Sequence, residues 1–135
     1  MGAWWMKSVE FITLFVEDLQ RTKLFYQEVF GLSAVFEDES SAVFDFGNIS
    51  VNLLKISEAF ELIEPAAVAG REGGSRFQLT ITVDNVDTVC EELNKHGVTL
   101  LNGPMNRPWG IRTASFTDPG GHIWEIAQAL PKAEE

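Results

Sequence analysis

Cysteine occurs once in these 135 residues, at Cys90, and tyrosine once, at Tyr26. A lone thiol excludes a disulfide framework and a thiolate metal cluster, and points to a reducing compartment, with the cytoplasm as the expected setting. Basic residues are also few: ten Lys and Arg stand against twenty Asp and Glu, a formal charge of −10. Such a surface repels phosphate backbones, so nucleic acid is not an expected partner. No apolar run approaches the roughly 20 residues needed to cross a bilayer. The start carries Trp4 and Trp5 without the basic segment and long apolar stretch of a signal peptide; with Met6 as an alternative initiator, Met1 to Trp5 is an extension of unassigned role. Nucleophile elbows, phosphate loops and dinucleotide fingerprints are missing too. The glycine-rich run from Gly70 to Gly74 lacks the Lys-Ser or Lys-Thr of a phosphate cradle. Nucleophilic catalysis therefore finds no support.

What is present is a core-forming composition, 45% apolar with ten Phe and four Trp, at a length that fits one soluble domain spanning residues 1–135. Ser8 to Val16 alternates as a strand, with Phe11, Thr13 and Phe15 on one face and Ile12, Leu14 and Val16 on the other. Asp18 can cap a following helix whose stripe is Leu19, Thr22, Phe25 or Tyr26, Val29 and Phe30, and Gly31 stops it. Strands then fall near Ser33 to Asp38, Ser41 to Phe46 and Ile49 to Ile56. The second half repeats this order: a strand over Arg76 to Val83, a helix opened by Asn85 and ended by His96 and Gly97, then strands near Val98 to Leu101, Ile111 to Thr117 and His122 to Gln128. A shift of 67 positions sets Phe11 on Gln78, Thr13 on Thr80, Val16 on Val83 and Asp18 on Asn85, which marks a tandem duplication. The expected fold is α+β, two tandem βαβββ modules (8–56 and 76–129) forming a curved mixed sheet around a cleft. Residues 57–75 are read as a linker, with a lid as the alternative.

One face of each first strand must meet its own helix, and the other must go elsewhere. In the second half that other face is Gln78, Thr80 and Thr82, polar but uncharged, which suits a partly solvated concavity. Asn52 shares a face with Ser50 and Leu54, and Glu125 with Ile123 and Ala127. If the halves pair symmetrically, Phe11, Asn52, Gln78 and Glu125 converge.

The stretches FITLFVEDLQRTKLFYQEVFGL (Phe11 to Leu32), FQLTITVDNVDTVCEELNKHGV (Phe77 to Val98) and FTDPGGHIWEI (Phe116 to Ile126) resemble the vicinal oxygen chelate superfamily. That superfamily includes glyoxalase I, extradiol dioxygenases, fosfomycin-modifying enzymes and bleomycin-resistance proteins. The resemblance implies a cleft in which the family's enzymes hold one metal by residues at Phe11, Asn52, Gln78 and Glu125. Phe11 cannot ligate and Asn52 is a weak neutral donor, so the inherited metal site reads as lost and no cofactor is expected. His96, at a helix end, and His122, near Trp124, read as structural or surface residues.

The run Arg107-Pro108-Trp109-Gly110-Ile111-Arg112 resembles the corresponding region of bleomycin-resistance proteins, which bind a large cationic drug through aromatic stacking and acidic charge. Trp109 can offer a flat π-face, although a core or dimer-interface anchor suits it equally. Arg112 can pair with Glu125, with a ligand carboxylate, or in an ordinary structural ion pair. The expected function is metal-independent binding of a small molecule, an aromatic or cationic antibiotic among the candidates. Its contacts would be Phe11, Thr13, Phe15, Asn52, Gln78, Trp109, Arg112 and Glu125. The alternatives are a lyase or dioxygenase-like enzyme with an altered metal site built on Gln78 and Glu125, and an assembly module without a ligand. A homodimer is expected, because the resemblance implies subunit pairing that covers open sheet edges.

Overall fold

A computed structural model describes residues 4–132 and divides into two compact units, one ending at Ala69 and the other beginning at Gly70. The division falls inside the segment read as a linker; Met1 to Ala3 of the N-terminal extension lie outside the described residues. The first unit runs β1 (Phe11–Val16), α1 (Leu19–Glu28), β2 (Ala34–Glu37), β3 (Ser41–Asp45), β4 (Ser50–Lys55) and α2 (Ile56–Ile63). Its strands form one four-stranded sheet in the order β1-β4-β3-β2, with β1 parallel to β4 and the other pairs antiparallel.

Local chemistry sets these boundaries. Asp18 takes an extended backbone and its carboxylate accepts from the Arg21 amide at 3.0 Å, while its carbonyl accepts from the Thr22 hydroxyl at 2.8 Å. The first contact satisfies an amide that the first turn of a helix leaves open; the second adds the Thr22 hydroxyl to a carbonyl that already accepts from the Thr22 amide at 3.1 Å. Leu19, Thr22 and Tyr26 of α1 are buried, with α1 packed on β3 and β4, and so are Leu14 and Val16 of β1, Val51 and Leu53 of β4, and Ala42 and Phe44 of β3. Each large apolar side chain buried in this way stabilises the unit by about 1.5–3 kcal/mol. The Tyr26 ring packs 5.4 Å from Phe44 and 5.0 Å from Phe30. α2 begins at Ile56, the expected end of the preceding strand, and occupies the start of the 57–75 segment; it follows β4 directly and buries Ala59. Its Ile56, Ala59, Phe60 and Ile63 repeat at helical spacing.

The second unit opens with a short 3-10 turn, Arg71–Gly73, then runs β5 (Leu79–Thr82), α3 (Val86–Lys95), β6 (Leu100–Arg107), β7 (Ile111–Thr117) and β8 (Ile123–Ala129). The sheet order is β5-β8-β7-β6, with β5 parallel to β8, so it repeats the first unit's topology. The protein is thus an α+β fold of two tandem βαβββ modules, each with its own four-stranded mixed sheet. Asn85 caps α3 through the Thr88 amide at 3.0 Å, as Asp18 caps α1. The core holds Val86 and Leu93 of α3 with Ala114, Phe116, Trp124 and Ile126 of the sheet. Arg71 donates to the Pro119 carbonyl at 3.1 Å, which ties the segment after Gly70 to the β7–β8 hairpin. In that hairpin Asp118 accepts from the amides of Gly120 and His122 at 2.9 and 3.0 Å.

β6 departs most from the sequence-based expectation, continuing six residues beyond Leu101 to Arg107. Gly103-Pro104 reads as a strand break, but β6 lies at the sheet edge, where a missing amide costs no ladder bond. Its register with β7 shifts on both sides of Asn102, and Gly103 sits at φ 86°. A Cβ there would lie 2.5 Å from the Thr113 carbonyl oxygen, so only glycine allows this bulge. Among the described residues, no helix is long and apolar enough to cross a membrane.

Candidate functional site

In each unit the strand alternation leaves one sheet face to the helix and a second face free of it. On the helix-free face of the first unit, Thr13 stands directly opposite Asn52, with Phe11 opposite Ser50 and Phe15 opposite Leu54. Val43 of β3 is the other neighbour of Asn52. Phe11, Thr13, Phe15 and Asn52 therefore share this face, as the alternation implies, but Phe11 is one pair removed from Asn52 and is 60% exposed. Asn52 Oδ1 is buried without a hydrogen-bond partner among the described residues. A buried carbonyl oxygen in that state is a ready acceptor for a donor brought by a ligand.

On the second unit's helix-free face, Glu125 pairs with Thr80 on one side and Ser115 on the other. The Thr80 hydroxyl donates to Glu125 Oε1 at 3.0 Å. Gln78 precedes β5 and is exposed, so the direct neighbour of Glu125 is Thr80. Next along β7 comes Thr113, opposite Ala127; Thr113 and Ser115 are 0% and 4% exposed.

Arg112 does not pair with Glu125. Register sets it opposite Gln128, on the helix side of the sheet, where its guanidinium grips Asp87 of α3 through two bonds of 2.9 and 3.1 Å and donates to Asn106 at 2.9 Å. The reason is parity: residues 112 and 115 of one strand must point to opposite faces. The Arg112 hydrogen bond holds the Asp87 carboxyl below the usual carboxylate range. Burial pushes the Cys90 thiol up, and the Asp87 charge adds to that.

The charged residue that does share the face of Glu125 is Arg107, which the expected strand near Val98 to Leu101 leaves in a loop. Its Nε donates to Thr113 Oγ1 at 2.9 Å and its Nη2 to Asn102 Oδ1 at 3.4 Å. The available signal was Arg107 standing four residues before Ile111, the spacing of a short hairpin. Trp109 lies in that hairpin's turn and is 68% exposed. His122 is a structural residue of the β7–β8 turn, its Nδ1 3.1 Å from Asp118 Oδ1, and His96 closes α3.

Residues 8–126 match the Glyoxalase/Bleomycin resistance protein/Dioxygenase superfamily. The chain belongs to this superfamily. The chain is similar to the virulence protein STM3117 of Salmonella typhimurium, 29% identical over 123 residues that cover 89% of this chain and 83% of that protein. Metallothiol transferase FosB of Lysinibacillus sphaericus is 25% identical over 90% of this chain and 82% of its own length. A crystal structure of a glyoxalase/bleomycin resistance protein/dioxygenase from Nocardioides has the same fold, with a TM-score of 0.84 at 21% identity, covering 96% of this chain and 87% of that one.

The superfamily's enzymes hold a metal, and the corresponding residues here fit one poorly. Phe11 has no donor atom, Gln78 is a neutral amide outside its strand, and one Glu125 oxygen is engaged by Thr80. Among the described residues there is no group of three or more His, Cys, Asp or Glu able to hold a metal ion. A divalent transition metal needs several imidazole, thiolate or carboxylate donors for tight binding.

Proposed function

We propose that this superfamily member binds a small molecule without a metal of its own, in the manner of bleomycin-resistance-type proteins. The observation that carries this reading is the setting of Glu125. It is the one carboxylate among the four inherited ligand positions, it is bonded to a neutral hydroxyl, and its register neighbours Thr80 and Ser115 are uncharged. A carboxylate in such a setting pairs with a cationic or hydrogen-bond-donating ligand group. On the second sheet Gln78, Trp109 and Glu125 are the proposed contacts. On the first they are Phe11, Thr13, Phe15 and Asn52, whose aromatic surface suits a planar compound. Arg112 leaves the ligand set because Asp87 occupies it.

Metal titration calorimetry with zinc, nickel, manganese and ferrous ions tests the metal-free reading. Weak, non-stoichiometric binding is expected; stoichiometric binding tighter than micromolar that is lost in Glu125→Ala overturns it. A thermal-shift screen of planar amines tests the ligand class. Trp109→Ala is expected to weaken hits by roughly two- to tenfold, the worth of one aromatic stack, and Glu125→Gln to weaken cationic hits more than neutral analogues.

The similarity to a metallothiol transferase favours one second reading, a metal-dependent enzyme of the superfamily, and the same calorimetry decides between them. We also propose a homodimer. β2 and β6 are open sheet edges carrying the exposed apolar residues Val35, Phe36 and Leu101. Sedimentation at tens of micromolar is expected to give twice the chain mass.

A further inference from the structure

We propose that the helix-free face of the second sheet receives a ligand bearing two opposite charges, its anionic group on Arg107 and its cationic group on Glu125, separated by about the width of an aromatic ring. This rests on the small-molecule reading above and names the chemistry that the site selects.

The starting point is the condition of Arg107. In a chain with twenty acidic residues, the neighbouring Arg112 is taken by a carboxylate, whereas among the described residues Arg107 donates to Thr113 and Asn102, both neutral. Two of its five N–H groups are used, which fixes the plane of the guanidinium and leaves its charge uncompensated. Both Nη1 hydrogens and one on Nη2 remain, enough for a bidentate contact with a carboxylate or phosphonate. Thr113, the floor beneath it, is fully buried, and the side chain itself is partly buried rather than spread into solvent.

Glu125 answers it from the same face. Among the described residues only Oε1 has a donor, the Thr80 hydroxyl, and the carboxylate forms no ion pair with Arg107, whose polar contacts lie elsewhere. Register supplies the spacing: Glu125 is opposite Ser115, two residues along β7 from Thr113 and one strand away. Strand rise and strand spacing make that offset roughly 8 Å between the Thr113 and Glu125 Cα atoms; Arg107 itself stands on β6 opposite Ile111, and its Nε reaches back to Thr113 at 2.9 Å, so the guanidinium and not the Arg107 backbone sets the spacing. The intervening Ser115 is buried and uncharged, so neither charge is neutralised from below. Trp109 is exposed in the turn two residues after Arg107. A polyanion is excluded by Glu125 and by the overall charge of −10; a singly charged cation would leave Arg107 unmatched.

The probes are 4-(aminomethyl)benzoate, which carries a carboxylate and an ammonium across one ring, and its single-charge relatives benzoate and benzylamine. They are titrated calorimetrically into the full chain and into Arg107→Gln, Arg107→Lys and Glu125→Gln, each first checked for an unchanged melting temperature. The zwitterion is expected to bind at least tenfold more tightly than either relative. Arg107→Gln is expected to lose at least tenfold for the zwitterion and benzoate while leaving benzylamine within twofold; Glu125→Gln should show the mirror pattern. Arg107→Lys, which keeps the charge but loses the fork, should fall between and serves in place of the Gln variant if that one fails to fold. Benzylamine binding as tightly as the zwitterion, with indifference to Arg107→Gln, overturns the two-charge inference and leaves the cationic-ligand reading standing. Failure of all three probes at millimolar concentration overturns both.

Discussion

Asp87, on the first turn of α3, perturbs two neighbours at once. Its carboxyl is held below the usual range chiefly by the Arg112 hydrogen bond. A carboxyl depressed in the folded state contributes stability above its unfolded pKa and loses it as pH falls through the lower folded value. The effect is therefore confined to the acid limb, below about pH 4. Urea midpoints measured from pH 7 down to pH 2 should fall more steeply for the native chain than for Asp87→Asn, which never has that contribution to lose. The same substitution acts on Cys90, whose thiol is pushed up by burial and by the Asp87 charge and drawn down by Arg112. With Asp87 neutral and Arg112 released, Cys90 becomes a better nucleophile. Its rate with a disulfide reagent at neutral pH is expected to rise several-fold, and an unchanged rate would show that burial alone governs the thiol.

Among the elements, β6 decides the most. Its bulge at Gly103 requires φ 86° and brings the Thr113 carbonyl to 2.5 Å from where a side chain would begin. Backbone on both sides of that contact cannot give way cheaply. Gly103→Ala is accordingly expected to cost about 2 kcal/mol or more, read as a lowered urea midpoint, and to disturb Arg107 with it. The helices respond to smaller chemistry. Asp18→Ala and Asn85→Ala each remove one cap hydrogen bond of 3.0 Å, and each should cost about 1 kcal/mol. The caps are legible from sequence because they involve residues three apart. The extent of β6 is not: Gly103-Pro104 breaks a central strand, and only its place at the sheet edge makes it tolerable. Ending the strand at Leu101 put Arg107 in a loop and so hid its kinship with Glu125.

At the scale of the whole molecule the excess of acidic residues sets the long-range field. With a formal charge of −10, the folded chain repels itself, and salt relieves this as the screening length falls to about 10 Å near 0.1 M. The melting temperature should rise between 10 and 300 mM sodium chloride. A fall would mean that specific ion pairs such as Arg112–Asp87 outweigh the general repulsion. The two units need no such correction to be recognised as repeats. Their strand orders match, their first helices are capped alike, and both bury the helix-facing half of each alternating strand.

The sequence by itself determined the duplication, the α+β class, the helix starts and the two faces of each strand, because these depend on contacts a few residues apart and on a side-chain period of two. It also showed that Phe11 cannot ligate a metal. Tertiary structure decided the rest. Register between strands distant in the chain chose Thr80 rather than Gln78 as the direct neighbour of Glu125. Strand parity sent Arg112 to Asp87 on the helix side. The edge position of β6 extended it across Gly103-Pro104 and delivered Arg107 to the helix-free face. These outcomes depend on which partner strand lies alongside, and a local pattern holds no record of its neighbour.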